Sequence, residues 1–113
     1  MYPALSNRWT NYLITSAFDF LYMAYQIYTT HRFDKSLVKM RKRGLPIPAF
    51  QEVVKLLMTD GVLPSKYRPN KLSGKYSKCW ECHITPDWLL IWEQNDMELT
   101  LLLVDTGSHP DLF

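Results

Sequence analysis

At 113 residues and 47% hydrophobic, the chain has the size of one domain and enough apolar content for one compact core; four Trp, seven Tyr and five Phe exclude disorder for most of it. The net charge of +2 conceals two oppositely charged segments. His31 to Trp80 carries 12 of the 13 Lys and Arg against three carboxylates, whereas Glu81 to Phe113 carries seven carboxylates, two of the three His and no Lys or Arg.

A cationic surface attracts phosphates, and histidines exchange protons near neutral pH, so this division suits a protein that binds RNA and cuts it. Two cysteines without a convincing export signal place the chain in a reducing compartment, the cytoplasm. Tyr12 to Tyr28 is rather apolar but is interrupted by Asp19 and diluted by Asn11, Thr15 and Ser16. It is too short and too polar for a spanning helix, which needs about 20 apolar residues. Only Arg8 precedes it and no small-residue cleavage site follows, so neither a membrane anchor nor a leader is expected.

The domain is expected to begin at Met23, with a strand over Ala24 to Thr30, rich in aromatic and β-branched residues. Thr30 can cap a helix over His31 to Arg43, in which Phe33, Leu37 and Met40 recur at helical spacing and Gly44 ends the run. Its other face carries Arg32, Lys35, Lys39, Arg41, Lys42 and Arg43; five cations fall within nine positions from Lys35 to Arg43 with no acid among them. Such a face is either simply solvated or meets a polyanion. Pro46-Ile47-Pro48 introduces a second helix over Pro48 to Thr59, with Phe50, Val53, Val54, Leu56 and Leu57 on its apolar side and Asp60-Gly61 as its stop. Val62 to Lys78 reads as a basic loop able to follow a phosphate backbone, through Lys66, Arg68, Lys71, Lys75 and Lys78.

Three strands are expected next. Cys79 to Thr85 alternates, which puts Cys79, Glu81, His83 and Thr85 on one face and Trp80, Cys82 and Ile84 on the other. After a Pro86-Asp87 turn, Trp88 to Trp92 is continuously apolar, as a central strand would be. Gln94-Asn95-Asp96 turns the chain into a last strand over Glu98 to Val104, leaving Asp105 to Phe113 as a tail. The order β-α-α-β-β-β predicts an α+β fold, two helices packed on one face of a mostly antiparallel four-stranded sheet.

Cys79-Trp80-Glu81-Cys82-His83 matches the C-x-x-C-H of haem c attachment, but the two thiols differ in parity along a strand and cannot reach one haem or one metal. A single C-x-x-C also falls short of the four ligands of a structural zinc site. No metal and no cofactor is expected, and Cys82 reads as a small buried hydrophobe. His83 is either a satisfied core histidine or a catalytic one sharing its face with Glu81 and close to Asp87. His109 lies in the polar segment Thr106-Gly107-Ser108-His109, where packing does not call for imidazole.

From Met23 onward, and above all in Leu72-Ser73-Gly74, Glu81 to Ile91 and Thr106 to Phe113, the chain resembles the YafQ family of toxins in the RelE/ParE superfamily. The resemblance implies a RelE-like fold and a toxin of a bacterial toxin–antitoxin pair. Such toxins enter the A site of the 70S ribosome, cut the mRNA there and are silenced by a DinJ/RelB-like antitoxin. Position by position, it implies His109 as proton donor, with His83, Asp87 and Glu81 completing the catalytic set and Phe113 as the terminal aromatic. Lys39, Arg41, Lys42, Arg43, Arg68, Asn70 and Lys71 would contact RNA or ribosome. Asn70 stands where family members often carry histidine; an amide bonds a phosphate but exchanges no proton near pH 7, so either the rate of cleavage is reduced or the base role falls more heavily on His83. Residues 1–22 have no counterpart in the family pattern and are expected to reflect an upstream start codon chosen in place of Met23, with a real packed extension as the alternative. A non-catalytic or gyrase-targeting member of the superfamily is the rival reading, since fold does not fix function.

Overall fold

A computed structural model describes residues 24–113, so the segment 1–22 and the expected start at Met23 lie outside the described residues. Strand β1 (Gln26–Thr29) leads into helices α1 (His31–Lys42) and α2 (Ile47–Asp60). There follow β2 (Asn70–Lys71), β3 (Trp80–Thr85), β4 (Trp88–Asn95), β5 (Thr100–Gly107) and a terminal turn of helix, α3 (His109–Leu112). The strands form one sheet in the order β1-β5-β4-β3-β2, antiparallel except for the parallel pair β1 and β5.

The expected α+β layering holds, with one correction: the sheet has five strands, not four. The extra strand is β2, inside the segment read as loop, where Asn70 pairs with Glu81 and Lys71 with Trp80. Two exposed polar residues carry no alternation, and only the free edge of β3 gives their backbone groups partners.

Local chemistry explains both long helices. Thr30 Oγ1 accepts the Phe33 N–H at 2.9 Å, capping α1, and Phe33, Leu37 and Met40 face inward. Helix α2 starts on Pro46-Ile47-Pro48, buries Phe50, Val53, Val54, Leu57 and Met58, and ends at Gly61. There φ is +71°, and a Cβ would fall 2.5 Å from the Tyr25 hydroxyl, so only glycine closes the helix at this point. Both helices cover the sheet face formed by Cys82, Ile84, Trp88, Leu90, Trp92, Leu101 and Leu103. Phe33, Phe50 and Trp88 stack in sequence there, with centroids 5.9 and 6.2 Å apart. Each such side chain contributes on the order of 1.5–3 kcal/mol by leaving water.

The opposite face is covered as well. Tyr76, Cys79, Leu89, Ile91 and Leu112 form a second cluster, built from the basic loop and α3. This explains why Trp88 to Trp92 of β4 is buried at every position. The last hairpin turns later than expected, at Asp96 to Leu99 rather than Gln94 to Asp96. Asn95 Oδ1 accepts the N–H groups of Met97 and Glu98, and Leu99 takes a left-handed φ of 54°.

The expected tail is also structured: β5 continues to Gly107. Beyond Leu103 it has no strand neighbour on the β1 side, because β1 ends at Thr29, and the start of α1 substitutes. Thr30 donates from its N–H to the Leu103 carbonyl and from its hydroxyl to the Val104 carbonyl, and Ser36 Oγ donates to Asp105 Oδ1 at 2.6 Å. Among the described residues, no helix is long and apolar enough to cross a membrane.

Candidate active site

Register places the two candidate histidines at one end of one sheet face. His83 on β3 is opposite Leu89 on β4, which is opposite Gly107 on β5, two residues before His109. Cross-strand partners share a face, so His83 points to the side that carries α3. Two strand spacings separate the His83 and Gly107 backbones by about 10 Å, a gap wide enough for a phosphodiester. Register shifts interrupt the ladders just after His83 and between Ile91 and Trp92, and such bulges re-aim side chains.

His83 is half-buried in a cleft of about 410 Å³ walled by Lys66, Tyr67 and Arg68. Its Nδ1 lies 3.3 Å from the Pro86 carbonyl oxygen. A carbonyl only accepts, so this bond requires the proton on Nδ1; in the neutral ring Nε2 then carries the lone pair, the form a general base needs. Asp87, exposed at the turn, does not take that role: the imidazole is oriented by a backbone carbonyl rather than by a carboxylate. Glu81 shares the face of His83, and its Oε2 accepts a long hydrogen bond of 3.4 Å from Asn70 Nδ2. Asn70 therefore meets Glu81 across the β2–β3 pair. Arg68 holds a left-handed backbone with φ 49°, a local strain for a non-glycine residue, at the lip of the cleft. Lys71 Nζ lies 5.4 Å from the centre of the Trp80 ring.

His109 lies outside that cleft, as the first residue of α3. Its ring centroid is 5.0 Å from that of Phe113, which meets Tyr76 edge-on at 5.8 Å and remains 54% exposed. The short helix is secured by reciprocal capping: Asp111 Oδ2 accepts the Ser108 N–H at 2.8 Å, and Ser108 Oγ accepts the Asp111 N–H at 3.3 Å. Gly107 permits this closure, because a Cβ there would lie 2.8 Å from Asp111 Cβ. Arg43, expected on RNA, instead grips Asp111, Nη1 to Oδ2 at 2.7 Å and Nη2 to Oδ1 at 3.1 Å. The Arg43 guanidinium, helped by the Ser108 N–H, holds the Asp111 carboxyl well below the usual carboxylate range.

The remaining cations are displayed rather than converged on one point. Lys39, Arg41 and Lys42 are exposed on α1. Lys39 joins Arg32, Lys35 and Lys75 along a groove that reaches Tyr76 and Asp111. The sequence carries no sign of the part of Lys75 and Tyr76 in this groove, nor of the Pro86 carbonyl; no spacing signal marks a backbone acceptor or a loop folding back over a sheet. Cys79 and Cys82 are both buried free thiols, in separate clusters on opposite faces of the sheet. Burial pushes the Cys82 thiol up to about 12. Among the described residues, no three His, Cys, Asp or Glu side chains gather as a metal site.

The sequence profile of the bacterial toxin of type II toxin–antitoxin system, YafQ, matches residues 25–113. The mRNA interferase toxin YafQ of Escherichia coli K12 is 28% identical over 83 residues, which span 73% of this chain and 88% of that protein. A metal-bound toxin from Helicobacter pylori is similar in structure, with a TM-score of 0.70 at 39% identity over 77% of this chain and 97% of its own. The E. coli DinJ–YafQ toxin–antitoxin complex gives a TM-score of 0.72 at 26% identity, over 80% and 99% of the two chains.

Proposed function

Since the chain belongs to the YafQ family of bacterial type II toxin–antitoxin toxins, we propose that it is a ribosome-dependent endoribonuclease that cuts translated mRNA in the A site and so stops translation. The observation that carries this reading is His83, whose Nδ1 faces the Pro86 carbonyl and whose ring opens on a cleft flanked by Lys66 and Arg68. Neutral His83 takes the proton of a ribose 2′-hydroxyl on Nε2. The freed oxygen attacks the adjacent phosphorus, and the bond to the 5′-oxygen breaks. His109 protonates that departing oxygen, while Arg68 at the lip of the His83 cleft offsets the charge gathering on the phosphate. Lys71, beside Trp80 on the other sheet face, contacts RNA away from the scissile bond. The scheme calls on no metal ion. Glu81 holds Asn70 beside the path of the RNA, Asp87 completes the carboxylate set at the β3–β4 turn, and the exposed Phe113 ring offers a surface for a nucleobase. Lys39, Arg41 and Lys42 contact ribosomal or messenger phosphates.

A DinJ/RelB-like antitoxin is the proposed silencing partner, by analogy with the E. coli DinJ–YafQ complex. The protein then works on ribosomes in the cytoplasm. Primer extension on an mRNA translated by purified 70S ribosomes, with and without the protein, tests the reading. New 3′ ends carrying a 2′,3′-cyclic phosphate, with 5′-hydroxyl partners, are expected only when ribosomes are present. Cleavage of naked mRNA at the same rate, 5′-phosphate ends, or inhibition of gyrase without mRNA cleavage would each overturn it.

A further inference from the structure

We propose that Arg43 and Asp111 form a positioning clamp that fixes the terminal turn, and with it the His109 and Phe113 rings, against the body of the domain. The inference rests on the catalytic reading above and changes the part assigned to Arg43, from a phosphate contact to an internal one. Helix α3 has only four residues, too few to hold itself in water. Its supports are Leu112, 4% exposed in the second cluster, the Ser108–Asp111 capping pair, and the two-pronged bond from Arg43.

The clamp is anchored at both ends. Arg43 is the C-cap of α1, and its backbone N–H bonds the Lys39 carbonyl at 3.0 Å, so its side chain starts from a fixed point. Asp111 uses one oxygen for both Ser108 N–H and Arg43 and the other for Arg43 alone. A guanidinium presenting two parallel N–H groups restricts direction as well as distance, which a single exposed ion pair does not. His109 and Phe113 lie on either side of Asp111, and their ring contact at 5.0 Å spans one helical turn. Loss of the clamp therefore frees both rings together. Because Arg43 is occupied by Asp111, its removal should change the geometry of the turn rather than the attraction to RNA.

The test compares Arg43→Ala, Asp111→Asn, Arg43→Lys and the Arg43→Ala/Asp111→Asn double variant in the full chain. Single-turnover mRNA cleavage at saturating ribosomes, ribosome affinity across a salt series, and the NMR shift of the His109 ring protons are measured for each. Arg43→Ala and Asp111→Asn should each slow cleavage on the order of 10- to 100-fold, as loss of orientation does, with ribosome affinity unchanged. The double variant should be no slower than the worse single one, and Arg43→Lys should recover part of the rate. The upfield displacement that the Phe113 ring imposes on the His109 protons should shrink in both single variants. The proposal fails if Arg43→Ala lowers the salt slope by roughly 0.7–0.9 while Asp111→Asn cleaves normally, for Arg43 would then be a phosphate contact. If the unmutated chain cleaves nothing, the catalytic reading fails alone. The His109 shifts still decide the clamp: unchanged in both single variants, they overturn it, and reduced in both, they support it.

Discussion

The Trp88 indole N–H donates to Thr106 Oγ1 at 2.7 Å, and that hydroxyl donates in turn to the Leu89 carbonyl at 2.6 Å, inside a region closed to water. This relay joins β4 to β5 three residues before His109. Thr106→Val preserves the shape but leaves an indole N–H without its acceptor, which costs about 1–3 kcal/mol. Urea unfolding should show that loss, whereas Thr106→Ser, which keeps the hydroxyl and drops one methyl, should lose about 1 kcal/mol. Equal stabilities of the Val and wild-type chains would show that the relay contributes nothing.

His109→Ala should remove most mRNA cleavage and leave ribosome affinity intact. Loss of a general acid typically costs 10²- to 10⁴-fold in rate, about 3–5 kcal/mol of barrier. The measurement is single-turnover cleavage with a melting curve alongside. Full cleavage by a folded alanine variant would remove His109 from the chemistry.

Neutralising Lys39, Arg41 and Lys42 together should weaken ribosome association and flatten its dependence on salt. Every phosphate that these side chains cease to neutralise takes roughly 0.7–0.9 from the log–log slope. A slope that does not move would make them a solvated helix face and no more.

Acid should loosen the terminal turn through Asp111. Its folded pKa is depressed by Arg43, so its contribution to stability is complete above the ordinary carboxylate value of about 3.9 and is lost as pH falls through the depressed folded value. Melting temperature should therefore fall with acidification from about pH 4 more steeply in the wild type than in Asp111→Asn, the two curves converging at low pH. Parallel curves would show that the carboxylate is not linked to folding.

Both thiols should resist a disulfide reagent at pH 8 in the folded chain and react at once in denaturant. Cys79 is 6% and Cys82 0% exposed, and burial raises both pKa values, that of Cys82 to about 12. Rapid labelling of either thiol in the native state would reopen a redox or metal role for the C-x-x-C-H run.

Much of the architecture is legible in the residues themselves, because hydrophobic period reports which face is dry. The helices follow from Phe33, Leu37 and Met40 and from Phe50, Val53, Val54 and Leu57; the continuous run Trp88 to Trp92 announces a strand covered on both sides. The parity of Cys79 and Cys82, and of His83 with Glu81, likewise follows from the alternation of β3. What sequence does not supply is the set of bonds made across long separations. Strand β2 exists only because β3 offers an edge, and Asp105 and Thr106 read as tail because polar residues give no sign that Ser36, Trp88 and Leu89 will satisfy them. Arg43 sits in a basic run and Asp111 in an acidic segment 68 residues on, and each by itself reads as a surface charge. Local pattern decides which residues leave water; only the folded chain decides which charges and carbonyls then stand within hydrogen-bonding reach, because directional bonds depend on distances that period and composition do not encode.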